Sequence, residues 1–156
     1  MKKRQRIVIN LHIVNLVNYK EIENSLYEKV AEQTLKYVHY PLDSAEITLV
    51  LCDNDFVCNL NNKYRAIDRP TDVLSFPMNE DDVINDPLLG DIVISIDMVK
   101  KNCLESQLTY NEEIIYLFTH GILHLVGYDH ECSRDIEDEM YNIQDQIMKY
   151  LYNFRS

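Results

Sequence analysis

The stretch HGILHLVGYDH, residues 120–130, dictates a helix, a stop and a return. His120 and His124 lie four residues apart. On a helix that spacing is ~400° of rotation and ~6 Å of rise, so both imidazoles leave one face. His130 could not join them from the same helix, because six further residues would carry it ~9 Å along the axis and away from that face. The chain must therefore turn after His124. Gly127 is the residue that permits it, since glycine tolerates positive φ and is the usual residue just past a helix end. Upstream, Thr109 followed by Glu112 reads as a capping box, so the helix is expected to start there and run to about Val126.

A frame H-x-x-x-H-x-x-G-x-x-H matches the ligand frame of the metzincin proteases. Three imidazoles can grip one Zn2+ ion at Zn–N distances of ~2.0–2.1 Å and leave a fourth position for water, the open coordination of a catalytic zinc. Such an ion can lower the pKa of that water to ~7. His120, His124 and His130 are thus the expected metal ligands. Neutral imidazoles also suit nickel or copper, so the residues leave the metal open. A histidine pair at this spacing is compatible with plain packing. Three of the five histidines within eleven residues, with glycine at the turn, are not. Gly121 stands where a metzincin carries its general-base Glu, which argues against peptide hydrolysis.

Neighbouring groups have two readings each. Asp129 either orients a ligand imidazole or caps the next helix. Glu113, two turns before His120, is first an acid favouring a helix N-terminus and second a partner of the site. Cys132 is read as an extra ligand or, two residues past His130, as a bystander, with the second reading preferred.

Working outward, residues 5–17 alternate as a strand and 19–38 repeat every 3.6 residues through Ile22, Leu26, Val30, Thr34 and Tyr37. Residues 45–53 form a second strand, and Asp53 caps a helix over 54–65. TDVLSF (71–76) reads as a short strand, followed by an acidic loop. Residues 89–97 form another strand, and Asp97 or Ser95 opens a helix near 98–107. A last helix spans 133–152, capped by Ser133 and striped by Ile136, Met140, Ile143, Ile147 and Leu151. The order βαβαββααα predicts a single α+β domain over 1–156, a small mixed sheet packed with helices, with a zincin-like metal-site helix.

Composition bounds the function. The formal net charge of -11 argues against a generally cationic nucleic-acid binder but permits a local basic groove. Cysteines 52, 58, 103 and 132 contain no C-x-x-C pair, which favours reduced thiols and a cytoplasmic setting. The opening MKKRQR-IVINLHIVNLV imitates a signal peptide, yet its period of two is a strand pattern and no small-residue cleavage site follows. No membrane span is expected.

A second informative stretch is LNNKYRAIDRPTDVLSFP (60–77), locally basic through Lys63, Arg65 and Arg69. A guanidinium fork suits phosphate oxygens and charge that develops in a displacement, although an Arg65–Asp68 ion pair is the plainer alternative. An open metal site paired with Arg65 points to phosphodiester hydrolysis, with water and the RNA 2′-OH both open as nucleophile.

These two blocks, with LLGDIVIS between them, resemble the signature blocks of the YbeY family of bacterial endoribonucleases, in the same order, over roughly residues 45 to 150. The resemblance implies a zinc-dependent endoribonuclease that prefers single-stranded RNA, acting in maturation of small-subunit (16S) rRNA 3′ ends and in ribosome quality control. It implies His120, His124 and His130 as metal ligands, with His120 and Arg65 catalytic. Gly121 belongs to the family's pattern. The expected partners are single-stranded RNA, the small ribosomal subunit and its assembly proteins, with neither DNA nor membrane; Lys63 and Arg69 join Arg65 as candidate RNA contacts. A non-catalytic, zinc-stabilised assembly factor and a zinc peptidase are the alternatives.

Overall fold

The computed structural model describes residues 6–79, 84–129 and 133–152. His130 and Cys132 lie outside the described residues, as does part of the acidic loop. The elements are β1 (Val8–Asn15), α1 (Asn24–Tyr37), β2 (Ser44–Cys52), α2 (Asn54–Arg65), β3 (Val73–Pro77), β4 (Leu88–Ser95), α3 (Ile96–Ser106), α4 (Tyr110–Leu125) and α5 (Arg134–Tyr152). This is the predicted order of one α+β domain.

The four strands form one sheet in the order β1-β2-β4-β3. β1–β2 and β2–β4 are parallel and β3–β4 is antiparallel, which makes the sheet mixed and leaves β3 on an edge. Alternation decides the two faces. Ala45, Ile47, Leu49 and Leu51 of β2 are fully buried and join Ile92 and Ile94 of β4 in the main core. The opposite face carries a smaller cluster, Cys52, Val57, Leu74 and Val93, beneath α2. At Gly90 the register slips by one residue between β2 and β4. Its φ is +139° and a Cβ there would lie 2.2 Å from the Phe76 carbonyl oxygen, so only glycine fits this bulge.

α4 is buried on nearly every side, through Ile114, Ile115, Leu117, Phe118, Ile122, Leu123 and Leu125. A helix so apolar belongs at a centre, and α1, α3, α5 and the sheet surround it. Each such side chain contributes ~1.5–3 kcal/mol on full burial. Tyr27 of α1 meets Phe118 edge-on at 5.5 Å between ring centres, a geometry that adds ~0.5–1.5 kcal/mol.

Several boundaries moved from the sequence expectation. The Asn15 side chain accepts from Tyr19 N at 3.0 Å and donates to Tyr19 O at 2.7 Å. That clamp ends β1 at Asn15 and holds Tyr19 outside any helix, so α1 starts at Asn24 and not at residue 19. α3 starts at Ile96, because Ser95 rather than Asp97 is its cap: Ser95 Oγ accepts from Met98 N at 3.3 Å. Asp97 instead accepts from Asn54 N at 2.9 Å, joining α3 to the start of α2. No helix among the described residues is long and apolar enough to cross a membrane.

Candidate active site

The capping box at the start of α4 forms as expected. Thr109 Oγ1 accepts from Glu112 N at 3.2 Å, and Glu112 Oε1 accepts from Thr109 N at 3.1 Å. Its far end is a Schellman motif. Gly127 has φ +102° and donates its N–H to His124 O at 3.1 Å, while Tyr128 N donates to Leu123 O at 3.0 Å. The turn predicted at Gly127 is therefore present.

His120 and His124 project from one face of α4, with their Nε2 atoms 2.9 Å apart and rings 73° to one another. Ligand nitrogens around a tetrahedral ion with ~2.0–2.1 Å bonds stand ~3.3 Å apart. The pair is thus already at chelating separation. Both rings open on a cavity of about 860 Å³, lined by residues from four parts of the chain. Arg65 and Ile67 come from the end of α2 and the segment after it, Ser75 and Pro77 from β3, Tyr116 from α4, and Met140 and Gln144 from α5.

The acidic side chains Asp72, Asp129 and Glu137 also line it, against one guanidinium among the described lining residues, Arg65. Such a wall repels phosphate on its own and attracts a cation. Among the described residues no third His, Cys, Asp or Glu is placed to complete a metal-holding group; the two imidazoles offer a cation a pair of nitrogen donors, and His130, the third expected ligand, lies outside the described residues.

Gly121 has a packing reason. A Cβ at that position would sit 2.7 Å from Ile92 Cγ2 and 3.0 Å from Ile92 Cδ1. The face of α4 between the two histidines lies against β4, and a side chain at 121 would enter the sheet and not the cavity. Gly121 O also accepts from Ser75 Oγ at 3.3 Å, which ties β3 to α4.

Arg65 is exposed and closes α2. Ala66 follows in the left-handed region at φ 56°, and Asn61 Nδ2 holds Arg69 O at 2.9 Å, so the segment after α2 folds back toward β3. The alternative ion pair of Arg65 with Asp68 is not formed; Asp68 accepts from Cys58 Sγ at 3.6 Å. Lys63 lies over the Tyr64 ring at 5.2 Å. Neither Lys63 nor Arg69 is among the cavity-lining residues, so of the three expected cations only Arg65 is brought to the histidines.

Ser133 Oγ accepts from Ile136 N at 3.2 Å, so Ser133 caps α5. Asp129 lines the cavity. Glu113 is buried, and burial pushes its carboxyl above the usual range, Asn102 opposing and Asp72 adding to the shift. One nitrogen, Asn102 Nδ2, lies 3.2 Å from both Glu113 Oε1 and Asp72 Oδ2. Through this bridge Glu113 reaches the cavity wall at Asp72. Tyr116 is half-buried, and desolvation first, then Asp145, pushes its phenol up to about 12. It remains a proton donor at neutral pH.

Sequence reasoning missed Gln144. It is buried on α5, where its side chain reaches both His120 and the Tyr116 carbonyl. The signal was a polar residue inside the stripe Met140–Ile143–Ile147, where an amide needs partners.

A family model described as endoribonuclease YbeY matches residues 12–152. The endoribonuclease YbeY of Sulfurihydrogenibium sp. (strain YO3AOP1) is 38% identical over 149 residues, covering 96% of this chain and 94% of that protein. That of Persephonella marina is 39% identical over 152 residues, covering 97% and 95%. That of Aliarcobacter butzleri is 47% identical over 113 residues, covering 72% and 80%. Among solved structures, the solution structure of TM1509 from Thermotoga maritima matches with a TM-score of 0.62 at 30% identity, covering 92% of this chain and 89% of that one.

Proposed function

The chain belongs to the YbeY family of endoribonucleases, and from that premise we propose that it is a zinc-dependent endoribonuclease cutting single-stranded RNA at the cavity beside His120 and His124. The observation that carries this reading is the convergence of an imidazole pair at chelating distance with Arg65 on one cavity wall.

His120, His124 and His130 would hold the ion. When bound, it supplies a Lewis acid and a water of lowered pKa. Arg65 grips non-bridging phosphate oxygens with its fork and stabilises the charge that builds on them in the transition state. Tyr116, kept protonated, offers a hydroxyl donor in the same cavity. The side of α4 at Gly121 supplies no carboxylate, in keeping with a phosphodiester rather than a peptide substrate. The cellular substrate we assign is the 3′ end of small-subunit rRNA, in maturation and quality control on the small ribosomal subunit, in the cytoplasm.

The test uses purified protein and a single-stranded RNA. His124→Ala should lose bound zinc and RNA cleavage together. Arg65→Ala should keep zinc and lose cleavage by ~10²–10³-fold, as when one donor to a developing oxyanion is removed. Undiminished cleavage by zinc-free, contaminant-checked His124→Ala would overturn the assignment. Arg65→Ala that cleaves normally would remove Arg65 from it.

A further inference from the structure

The hydrogen-bonding of Gln144 has a chemical consequence for His120. Gln144 is 1% exposed, on the inner face of α5. Its two amide ends are distinguishable by their neighbours. The Tyr116 backbone carbonyl can only accept, so the end 3.2 Å from it must be the Nε2 donor. The other end, Oε1, then faces His120 Nδ1 at 3.4 Å. A flipped amide would set two acceptors against each other in a buried place.

Oε1 can also only accept, so His120 Nδ1 must carry hydrogen. In a neutral imidazole with hydrogen on Nδ1, Nε2 is bare. That bare Nε2 is the atom 2.9 Å from His124 Nε2, at the cavity. His120 therefore presents at the cavity the lone pair a cation needs.

We propose that Gln144 is a positioning residue that locks the His120 imidazole in its Nδ1–H tautomer, presetting Nε2 to receive a cation. Its assignment to zinc rests on the metal reading above; the tautomer itself does not. Gln144 also pins α5 to α4 through Tyr116, so one side chain fixes both the ring's proton and the wall it leans on. Outer partners of this kind are worth ~10–100-fold in metal affinity.

Two measurements on the full chain test it. The first is nitrogen-edited NMR of isotope-labelled, metal-free wild-type protein, at a pH where the imidazoles are neutral. We expect His120 to show a protonated Nδ1 and a bare Nε2. A protonated Nε2 on His120 would overturn the proposal, with no variant needed.

The second is zinc affinity, by competition with a chromogenic chelator, for Gln144→Met and Gln144→Glu. Circular dichroism of the metal-free proteins checks folding. Methionine keeps length without the amide and should weaken zinc binding ~10–100-fold. Glutamate again offers an oxygen acceptor to Nδ1–H and should recover most of that loss. Folded Gln144→Met with wild-type affinity would overturn the proposal. If Gln144→Met does not fold, the glutamate variant and the wild-type spectrum decide: glutamate binding tenfold or more weaker than wild type counts against the lock. Wild-type protein that takes up no zinc while His120 shows Nδ1–H would overturn the metal reading and uphold the tautomer assignment.

Discussion

At Gly121, one absent carbon governs both packing and chemistry. Ile92 is fully buried, and its branched side chain fills the space a Cβ would need. Gly121→Ala should therefore cost ~1–3 kcal/mol in overpacking, partly offset by a gain of ~1 kcal/mol in helix propensity. A double-mutant cycle with Ile92→Ala, read by urea unfolding, should show a coupling of about 1 kcal/mol. Strict additivity would mean that the contact is not felt. Glu113 makes a second prediction at this scale. Burial raises its folded pKa above the unfolded value of about 4.3. Its contribution to stability is then fully present below the unfolded pKa and is lost as pH rises through the raised folded one. Glu113→Gln keeps an acceptor for Asn102 without that loss. The variant should melt above wild type at pH 7, and the difference should vanish near pH 4. A gap that stays constant across this range would show that the cause is not ionisation.

Among the elements, α4 is the one whose two ends matter most. Its capping box starts it at Tyr110 and its Schellman motif stops it at Leu125, so the two histidines occupy its last turns. The stop depends on Gly127 at φ +102°. An alanine there would be strained by ~1–2 kcal/mol. Gly127→Ala should lower the melting temperature of the metal-free protein. It should also weaken zinc binding, because the chain leaves α4 at that residue and the expected ligand His130 follows three positions later in the sequence. Loss of stability with unchanged zinc affinity would separate the turn from the site. β3 shows the opposite case, an element of only five residues whose position is set by others. It pairs antiparallel to β4 at the sheet edge, and Ser75 anchors it to Gly121 O. The segment from α2 thereby meets the histidine face.

On the scale of the whole molecule, charge and cavity pull in different directions. The chain carries a formal -11, and the described cavity lining holds more carboxylates than cations. Naked single-stranded RNA should bind weakly near ~0.15 M salt. The logarithm of the association constant should fall with log salt at a slope of ~0.7 per phosphate contact, and Arg65→Ala should reduce that slope by about one such contact. A titration series by fluorescence anisotropy measures this. Tight binding indifferent to salt would contradict it. Weak affinity for free RNA leaves specificity to a partner surface, which agrees with the proposed action on the small ribosomal subunit.

The residues alone determined the order of elements, the helix stop at Gly127 and the shared face of His120 and His124. Each depends on periods of two or 3.6 residues and on caps a few positions away, which are local forces. The later start of α1 escaped because the Asn15–Tyr19 clamp competes with a helical pattern that continues through Ile22. That Arg65, 55 positions before His120, belongs with the histidines was already expected; its place on the cavity wall depends on β3 and α4 lying side by side. The bar against a side chain at Gly121 came from Ile92 on a different strand, and the proton position on His120 from Gln144 on another helix. Those facts belong to the tertiary structure, because sterics and buried hydrogen bonds act between neighbours in space however far apart they stand in the chain.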